Sequence, residues 1–255
     1  VAGIILDGTG LGTDGTLWGG EVLLGDYRGF DRRNWLKPAP LLGGDRAARA
    51  PWRNALARLD QAGLCDWADQ LFAQAPRDAL RQAAAKGINA PQSSSVGRLF
   101  DAVAACLGIC ADAQSYEGEA AMQLEALATQ APSDHGGGYD FASDHNQLDP
   151  GPLWAEMRKD LSRGVSRETI AWRFHAGLGL GFARAARRLI DSGAAQAVVL
   201  SGGCFQNAAL LGAVQRGLGD VPTLIHRTTP ANDGGLALGQ ATVAAALALS
   251  GAESP

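Results

Sequence analysis

Apolar and polar positions fall into blocks along the chain, and the period changes from block to block. Residues 1–6, VAGIIL, form a short apolar run that ends in DGTG. That is the pattern of a buried strand stopping in a tight glycine loop. LWGGEVLLGDYRGF follows, rich in strand formers and bounded by glycines, and FDRRNWLKPAPL adds a further strand. Short turns between these runs predict a β-meander over residues 1–44. From Asp45 to about residue 130 the period becomes helical. DRAARAPWRNALARLDQAG places Ala47, Trp52, Leu56 and Leu59 at helical spacing, with Gly63 as a stop. SSSVGRLFDAVAACLGI puts Val96, Leu99, Phe100, Val103 and Leu107 on one face, with serines available as caps. YEGEAAMQLEALATQ repeats the amphipathic pattern.

Residues 131–152 are dominated by turn formers and read as a loop or linker. Residues 153–255 return to regular periods. SRETIAWRFHAGLGLGFARAARRLID is a long helix in which Ile170, Phe174, Leu178 and Phe182 recur every four positions. AAQAVVLSGG is a strand ending in a glycine loop, FQNAALLGAVQRGLG a helix, VPTLIHRT a strand, and NDGGLALGQATVAAALAL a helix. Strand, helix, strand, helix implies a parallel crossover unit. A meander, a helical insertion and βα repeats make an α/β protein with a mixed sheet. One half of the actin-like ATPase (ASKHA) fold runs in this order. No internal repeat supplies the second half, and Val1 already lies in a strand-like run, so the chain reads as a piece of a longer protein.

Composition narrows the classes without choosing among them. Of 255 residues, 46% are hydrophobic and 19% charged, enough for an ordinary packed core. A net charge of −4 lacks the basic footprint of a general nucleic-acid binder. Arg184, Arg187 and Arg188 are spaced as the solvated face of a helix. No apolar run approaches the roughly 18 residues of a membrane span, and the Ala-rich run from Ala241 to Leu249 is broken by Ser250 and Gly251. The first residues lack a signal peptide's basic region. Cys65, Cys106, Cys110 and Cys204 show no paired CxxC spacing, so a reducing cytoplasm is expected.

Three glycine-rich strings carry the candidate chemistry. In DGTGLGTDG, Gly8, Gly10, Gly12 and Gly15 let backbone approach a ligand, Thr9 adds a hydroxyl, and Asp7 sits at a strand end facing a metal or water. A glycine hairpin with Asp as turn former fits the same letters. In SGGCFQN, Gly202 and Gly203 precede a helix whose N-terminus attracts phosphate, and Asn207 can bond a ribose or base. A plain βα loop fits equally. In ANDGGLALGQ, Asp233 is read first as a helix cap and otherwise as a hard metal ligand. Arg98 and Asp101 lie one helical turn apart, as a local ion pair or as partners of ribose and phosphate. His135 and His145, in two SDH triplets, read as solvated loop, and His175 as a structural histidine. Cys106 and Cys110 read as packed on one helix face.

DGTGLGTDGTLWGGE, LLGGDRAARAPWR, SSSVGRLFDAVAACLG, YEGEAAMQLE, SGGCFQN and NDGGLALGQ together closely resemble the C-terminal, Kae1-like region of the HypF family, in family order across nearly the whole chain. The resemblance implies the second lobe of an ASKHA fold. It implies a carbamoyltransferase that makes carbamoyl adenylate from carbamoyl phosphate and ATP in a separate YrdC-like domain. The carbamoyl group then passes to the C-terminal cysteine of HypE, the route to the cyanide ligands of [NiFe]-hydrogenase. By the same resemblance Asp7 and Asp233 face a metal. Gly8, Thr9, Gly10 and Gly12 line phosphate or the carbamoyl group, Arg98 and Asp101 lie near the ribose, and Gly202, Gly203 and Asn207 form the second nucleotide loop. Cys204 stands where the family has an aliphatic residue. The family's HHxAH metal motif is not in this sequence. A divalent metal (Fe, Zn or Mg) is therefore expected in the full-length protein and weak or absent in this piece, which is expected to be inactive alone. Two other readings stand beside this one: an O-carbamoyltransferase of the same fold, and a non-catalytic module that docks a partner.

Overall fold

The computed structural model describes residues 1–132 and 136–251. The meander forms as expected: β1 (Ala2–Leu11), β2 (Leu17–Gly25) and β3 (Phe30–Leu36) each run antiparallel to the next. The DGTG string does not end the first strand. Pairing of β1 with β2 breaks between Leu6 and Gly10 and resumes at Gly10↔Trp18 and Leu11↔Leu17. A bulge takes Asp7, Gly8 and Thr9 out of the ladder and bends the strand there, which leaves their groups free to face something else.

The helical insertion starts with α1 (Arg46–Arg49) and α2 (Trp52–Gln61). The sequence reading made one helix of this stretch. Pro51 divides it: Ala50, which precedes the proline, sits at ψ 84°, outside the helical region. Next come α3 (Cys65–Leu71), α4 (Arg77–Ala85), α5 (Val96–Cys106) and α6 (Glu119–Ala128). Two short strands, β4 (Ala39–Pro40) and β5 (Gln92–Ser93), pair with each other, and β5 also pairs with β2. That clamp delivers the start of α5 to the sheet. Ser95 caps α5, accepting from the Arg98 N–H, and Val96, Leu99, Phe100, Val103 and Leu107 are all buried. Cys106 ends α5 and Cys110 lies beyond it at φ +45°, so the two do not share a helix face.

The segment read as a loop, residues 131–152, holds a hairpin instead: β6 (Ala142–Asp144) and β7 (Gln147–Asp149), turned at His145 with φ +50°. β7 lies parallel to β3 at the sheet edge, with Lys37 N–H donating to the Leu148 carbonyl. Three-residue strands with one buried side chain, Leu148, leave almost no period to read.

The second half is regular: α7 (Gly151–Ser162), α8 (Arg167–Asp191), β8 (Val198–Ser201), α9 (Ala208–Leu218), β9 (Thr223–Ile225) and α10 (Leu236–Ser250). Ser166 caps α8, and Ile170, Phe174, Leu178 and Phe182 are fully buried along it. The main path of the sheet runs β6-β7-β3-β2-β1-β8-β9, with β1, β8 and β9 parallel. The crossover from β8 to β9 through α9 is the predicted parallel unit. No residue of α10 is buried. Among the described residues, no helix is long and apolar enough to cross a membrane.

One glycine fixes how β8 leaves the sheet. Gly202 has φ +104°, and a Cβ there would stand 2.1 Å from the Leu6 carbonyl oxygen of β1. Gly202→Ala is therefore expected to destabilise the chain by about 3 kcal/mol, combining a forbidden backbone conformation with a backbone clash. In a thermal melt that is a fall of roughly 6–12 °C for a domain of this size.

Candidate functional site

The bulge in β1 and the C-terminal ends of the parallel strands form one side of a cavity of about 570 Å³; α5 and α6 form the other. Its volume lies in the range typical of small-molecule sites. Asp7, Gly8, Arg98, Asp101, Gly203, Asn207 and Asp233 all line it, so four separate strings converge on one place. Asp7 accepts a hydrogen bond from the Gly8 N–H at 2.8 Å. Thr9, Gly10 and Gly12 are not part of this lining. Thr9 and Gly10 lie on the exposed outer arm of β1, and Gly12 sits beneath the Trp18 indole, where a Cβ would be 2.1 Å from Nε1.

Arg98 and Asp101 form a buried ion pair, not an exposed one, with Arg98 Nε 2.9 Å from Asp101 Oδ2 and Asp101 only 1% exposed. Asp101 also accepts from Gln114 Nε2 at 3.1 Å and from Asn54 Nδ2 at 3.4 Å. Burial pushes the Asp101 carboxyl up to about 6, against the pull of Arg98 and Gln114, and nearby Glu117 adds to the rise. At neutral pH the pair is ionised, and one face of it borders the cavity.

The βα loop departs from its sequence reading. Gly203–Gln206 is a 3-10 turn, so the glycines are separated from α9. The N-terminus of α9, expected to receive phosphate, is already filled. Glu125 of α6 accepts from the Ala208 N–H at 2.6 Å, and the Asn207 side chain accepts from the Leu210 N–H at 2.8 Å. A carboxylate of the chain itself satisfies the helix end. Asn207 is held from behind by His175. Its Nδ2 lies 3.0 Å from His175 Nε2, while His175 Nδ1 lies 2.7 Å from the Ala171 carbonyl. Since a carbonyl only accepts, Nδ1 carries the proton and Nε2 accepts from Asn207. Burial holds His175 far below its ordinary value, at about 4. It is structural, as read, yet its target is a residue of the cavity wall.

Asp233 opens the turn before α10, but Asn232 is the cap, accepting from the Gly234 N–H at 3.1 Å. Asp233 is left exposed and lines the cavity with Asp7. Among the described residues no group of three or more His, Cys, Asp or Glu side chains is placed to hold a metal ion. His145 pairs with Asp144 on the exposed hairpin turn, and His135 lies outside the described residues. Cys204 is half-buried and lines the cavity, where desolvation, with the nearby charges of Asp7 and Asp101, raises its thiol above the ordinary value and keeps it protonated at neutral pH. The sequence reading missed Glu117, Gly118, Ala121 and Met122, which close the cavity from the start of α6. An amphipathic helix gives no local signal that its N-terminal turn faces a ligand.

A second cavity, of about 670 Å³, lies on the other side of the β1 end, between the sheet and α10. It shares Asp7, Asn232 and Asp233 with the first and also takes in Gly202, Ser201 and His226.

Residues 3–240 match the family model described as carbamoyltransferase, Kae1-like domain, second subdomain. The carbamoyltransferase HypF of Rhodobacter capsulatus is 60% identical over 246 residues, covering 96% of this chain and 32% of that protein. The HypF of Rhizobium leguminosarum bv. viciae is 41% identical over 245 residues, covering 94% and 31%. The crystal structure of full-length HypF in the phosphate- and nucleotide-bound form superposes with a TM-score of 0.88 at 32% identity, over 97% of this chain and 33% of that one. The T. kodakarensis HypF structure gives 0.87 at 30% identity, over 98% and 34%. The chain spans about a third of the length of these relatives.

Asp101 and His175 give opposite, separable pH signatures. For Asp101 the folded value exceeds the ordinary 3.8, so its contribution to stability is full below about pH 4 and is lost as pH rises to about 6. Arg98→Gln removes the charge opposing that rise, and a ¹³C carboxyl NMR titration should find Asp101 titrating above 6. For His175 the folded value lies below the ordinary 6.5, so stability is lost as pH falls from 6.5 to about 4. His175→Gln does not titrate. The stability of the wild type relative to that variant should fall across this window by up to about 3 kcal/mol, read from urea unfolding at pH 7, 5.5 and 4.5.

Proposed function

The chain belongs to the HypF carbamoyltransferase family, as the second subdomain of its Kae1-like domain, and we propose that it forms the nucleotide-holding wall of a carbamoyl-transfer site. The full-length protein makes carbamoyl adenylate from carbamoyl phosphate and ATP and passes the carbamoyl group to the C-terminal cysteine of HypE. That supplies the cyanide ligands of [NiFe]-hydrogenase, in the reducing cytoplasm. The observation that carries this reading is the convergence of the DGTG, GRLFDAV, SGGCFQN and NDGG strings on one cavity at the C-terminal ends of parallel strands. In α/β sheets that is where ligands bind.

The wall's groups suit a carbamoyl adenylate. Arg98 brings a buried positive charge to the phosphate. Ala121 and Met122 offer apolar surface to the base, and the carboxylates of Glu117 and Glu125 can accept from ribose hydroxyls. Transfer puts negative charge on the carbonyl oxygen and on the departing phosphate, and fixed donors that meet it lower the barrier. The acceptor sulfur comes from the partner, so the wall needs no nucleophile of its own, which suits the protonated Cys204. A divalent metal in the full-length protein would need ligands beyond Asp7 and Asp233.

The full-length protein, given carbamoyl phosphate and ATP, should carbamoylate a peptide ending in cysteine and leave a small hydroxylated acceptor untouched when both are present. Mass spectrometry of the two acceptors reads the result. Transfer to the hydroxyl alone would replace this reading with that of an O-carbamoyltransferase.

A further inference from the structure

The second cavity holds a pair of residues that the nucleotide wall does not use. Ser201 is the last residue of β8, and His226 follows β9 directly. Leu200 pairs with Ile225 in this parallel ladder, so the two side chains sit one step past it at the strand ends. His226 Nε2 lies 3.0 Å from Ser201 Oγ, and His226 Nδ1 lies 3.2 Å from Thr229 Oγ1. Both ring nitrogens therefore face hydroxyls, which donate or accept as needed. The ring can gain a proton at Nε2 without losing either contact.

Its surroundings separate it from the other histidines. His175 has both nitrogens committed inside the core, and His145 sits on the β6–β7 hairpin at the opposite edge of the sheet. His226 and Ser201 line the cavity that meets the nucleotide cavity at Asp7 and Asp233, the other titratable groups of its lining. The rest of that lining is mainly apolar and includes Leu236, Val243 and Leu247 of α10.

We propose that His226, acting through Ser201, is the general base that takes the proton from the acceptor thiol. This rests on the transfer reading given above. A cysteine thiol has an ordinary pKa of about 8.5 and is mostly protonated at neutral pH, so it needs a base to attack. With Nδ1–H donating to Thr229, Nε2 accepts the Ser201 proton as Ser201 takes the proton from sulfur. The sulfur electron pair forms the S–C bond to the carbamoyl carbon. The bond from that carbon to the phosphate oxygen breaks, and its electron pair leaves with AMP. His226 ends as an imidazolium, donating to both hydroxyls, and returns its proton to water.

The test uses the full-length protein, with two readouts: ATP consumption without acceptor, and single-turnover transfer to a cysteine-terminated peptide. His226→Ala and His226→Gln should each lower transfer by about 100-fold or more, with acceptor-free ATP consumption within twofold of wild type. Added imidazole should recover at least about tenfold of the transfer lost in His226→Ala. Ser201→Ala should lower transfer less, since water can replace a hydroxyl relay. A His226→Gln protein that transfers at the wild-type rate would make the pair a mere tie between β8 and β9 and overturn the proposal. So would a His226→Ala protein of wild-type thermal stability that imidazole does not rescue. A wild-type protein that consumes ATP yet never carbamoylates the thiol would instead remove the transfer reading, and this inference with it.

Discussion

The structure turns on one close backbone approach, where the N-terminus of α5 meets the bulge of β1. Ser95 Oγ donates to the Asp7 carbonyl at 3.2 Å, touches the Gly8 carbonyl, and accepts from the Arg98 N–H at 3.1 Å. One hydroxyl thus caps a helix and pins it to a strand. The approach leaves no room for side chains. A Cβ on Gly97 would stand 3.0 Å from Gly8 Cα, and one on Gly19 would stand 2.7 Å from the Asp7 carbonyl oxygen. Because the backbones meet there, Arg98 and Asp101, one turn into α5, reach the same cavity as Asp7. The N-cap is worth about 1 kcal/mol as a stabilising contact. Its larger effect is geometric, since it sets the distance between the two walls.

A buried carboxylate holds the other side of that junction. Glu21 of β2 is 2% exposed and accepts from the Gly19 and Gly20 N–H groups at 2.7 and 2.6 Å, from Arg32 at 2.8 Å and from Ser94. Burial raises its carboxyl above the ordinary value, and the hydrogen bonds pull it back. Arg32 is itself held between the Trp18 and Trp35 rings, 4.2 and 4.5 Å from their centres. Replacing such a group by an apolar one is often neutral for stability. What Glu21 adds is register: it ties the meander to Ser94, the residue before the α5 cap.

The elements with long periods were legible in the sequence. The meander, the face of α5, the length of α8 and the βαβ order all follow from patterns that repeat often enough to be read. What was not legible has short-range or tertiary causes. The β6–β7 hairpin has too few buried positions to show a period, and it exists because β3 offers an unpaired edge. DGTG was read as a loop because glycines mark turns, whereas here they permit a bulge within a strand. The site divided in the same way. Asp7, Gly8, Arg98, Asp101, Gly203, Asn207 and Asp233 meet in the cavity, while Thr9, Gly10 and Gly12 serve the hairpin arm. The HypF family strings gave these as one set. Only the bulge separates them.

The occupied end of α9 changes where a bound phosphate finds its charge. A free helix N-terminus contributes about 0.3–1 kcal/mol to an anion, and a hydrogen bond to a charged group about 1.5–3. With Glu125 and Asn207 already on the α9 N–H groups, the helix has little left to offer. The buried positive charge at the cavity is Arg98, and above about pH 6 Asp101 competes for it. An incoming phosphate must therefore share or displace an internal carboxylate, which weakens binding of any anion that brings nothing else. On the proposed reading a nucleotide would also bring a base for Ala121 and Met122 and ribose hydroxyls for the acidic rim, adding apolar and polar contacts to what Arg98 alone supplies. On that reading the internal ion pair would favour the whole adenylate over bare phosphate, because the larger ligand brings contacts that offset the loosening of Arg98 from Asp101.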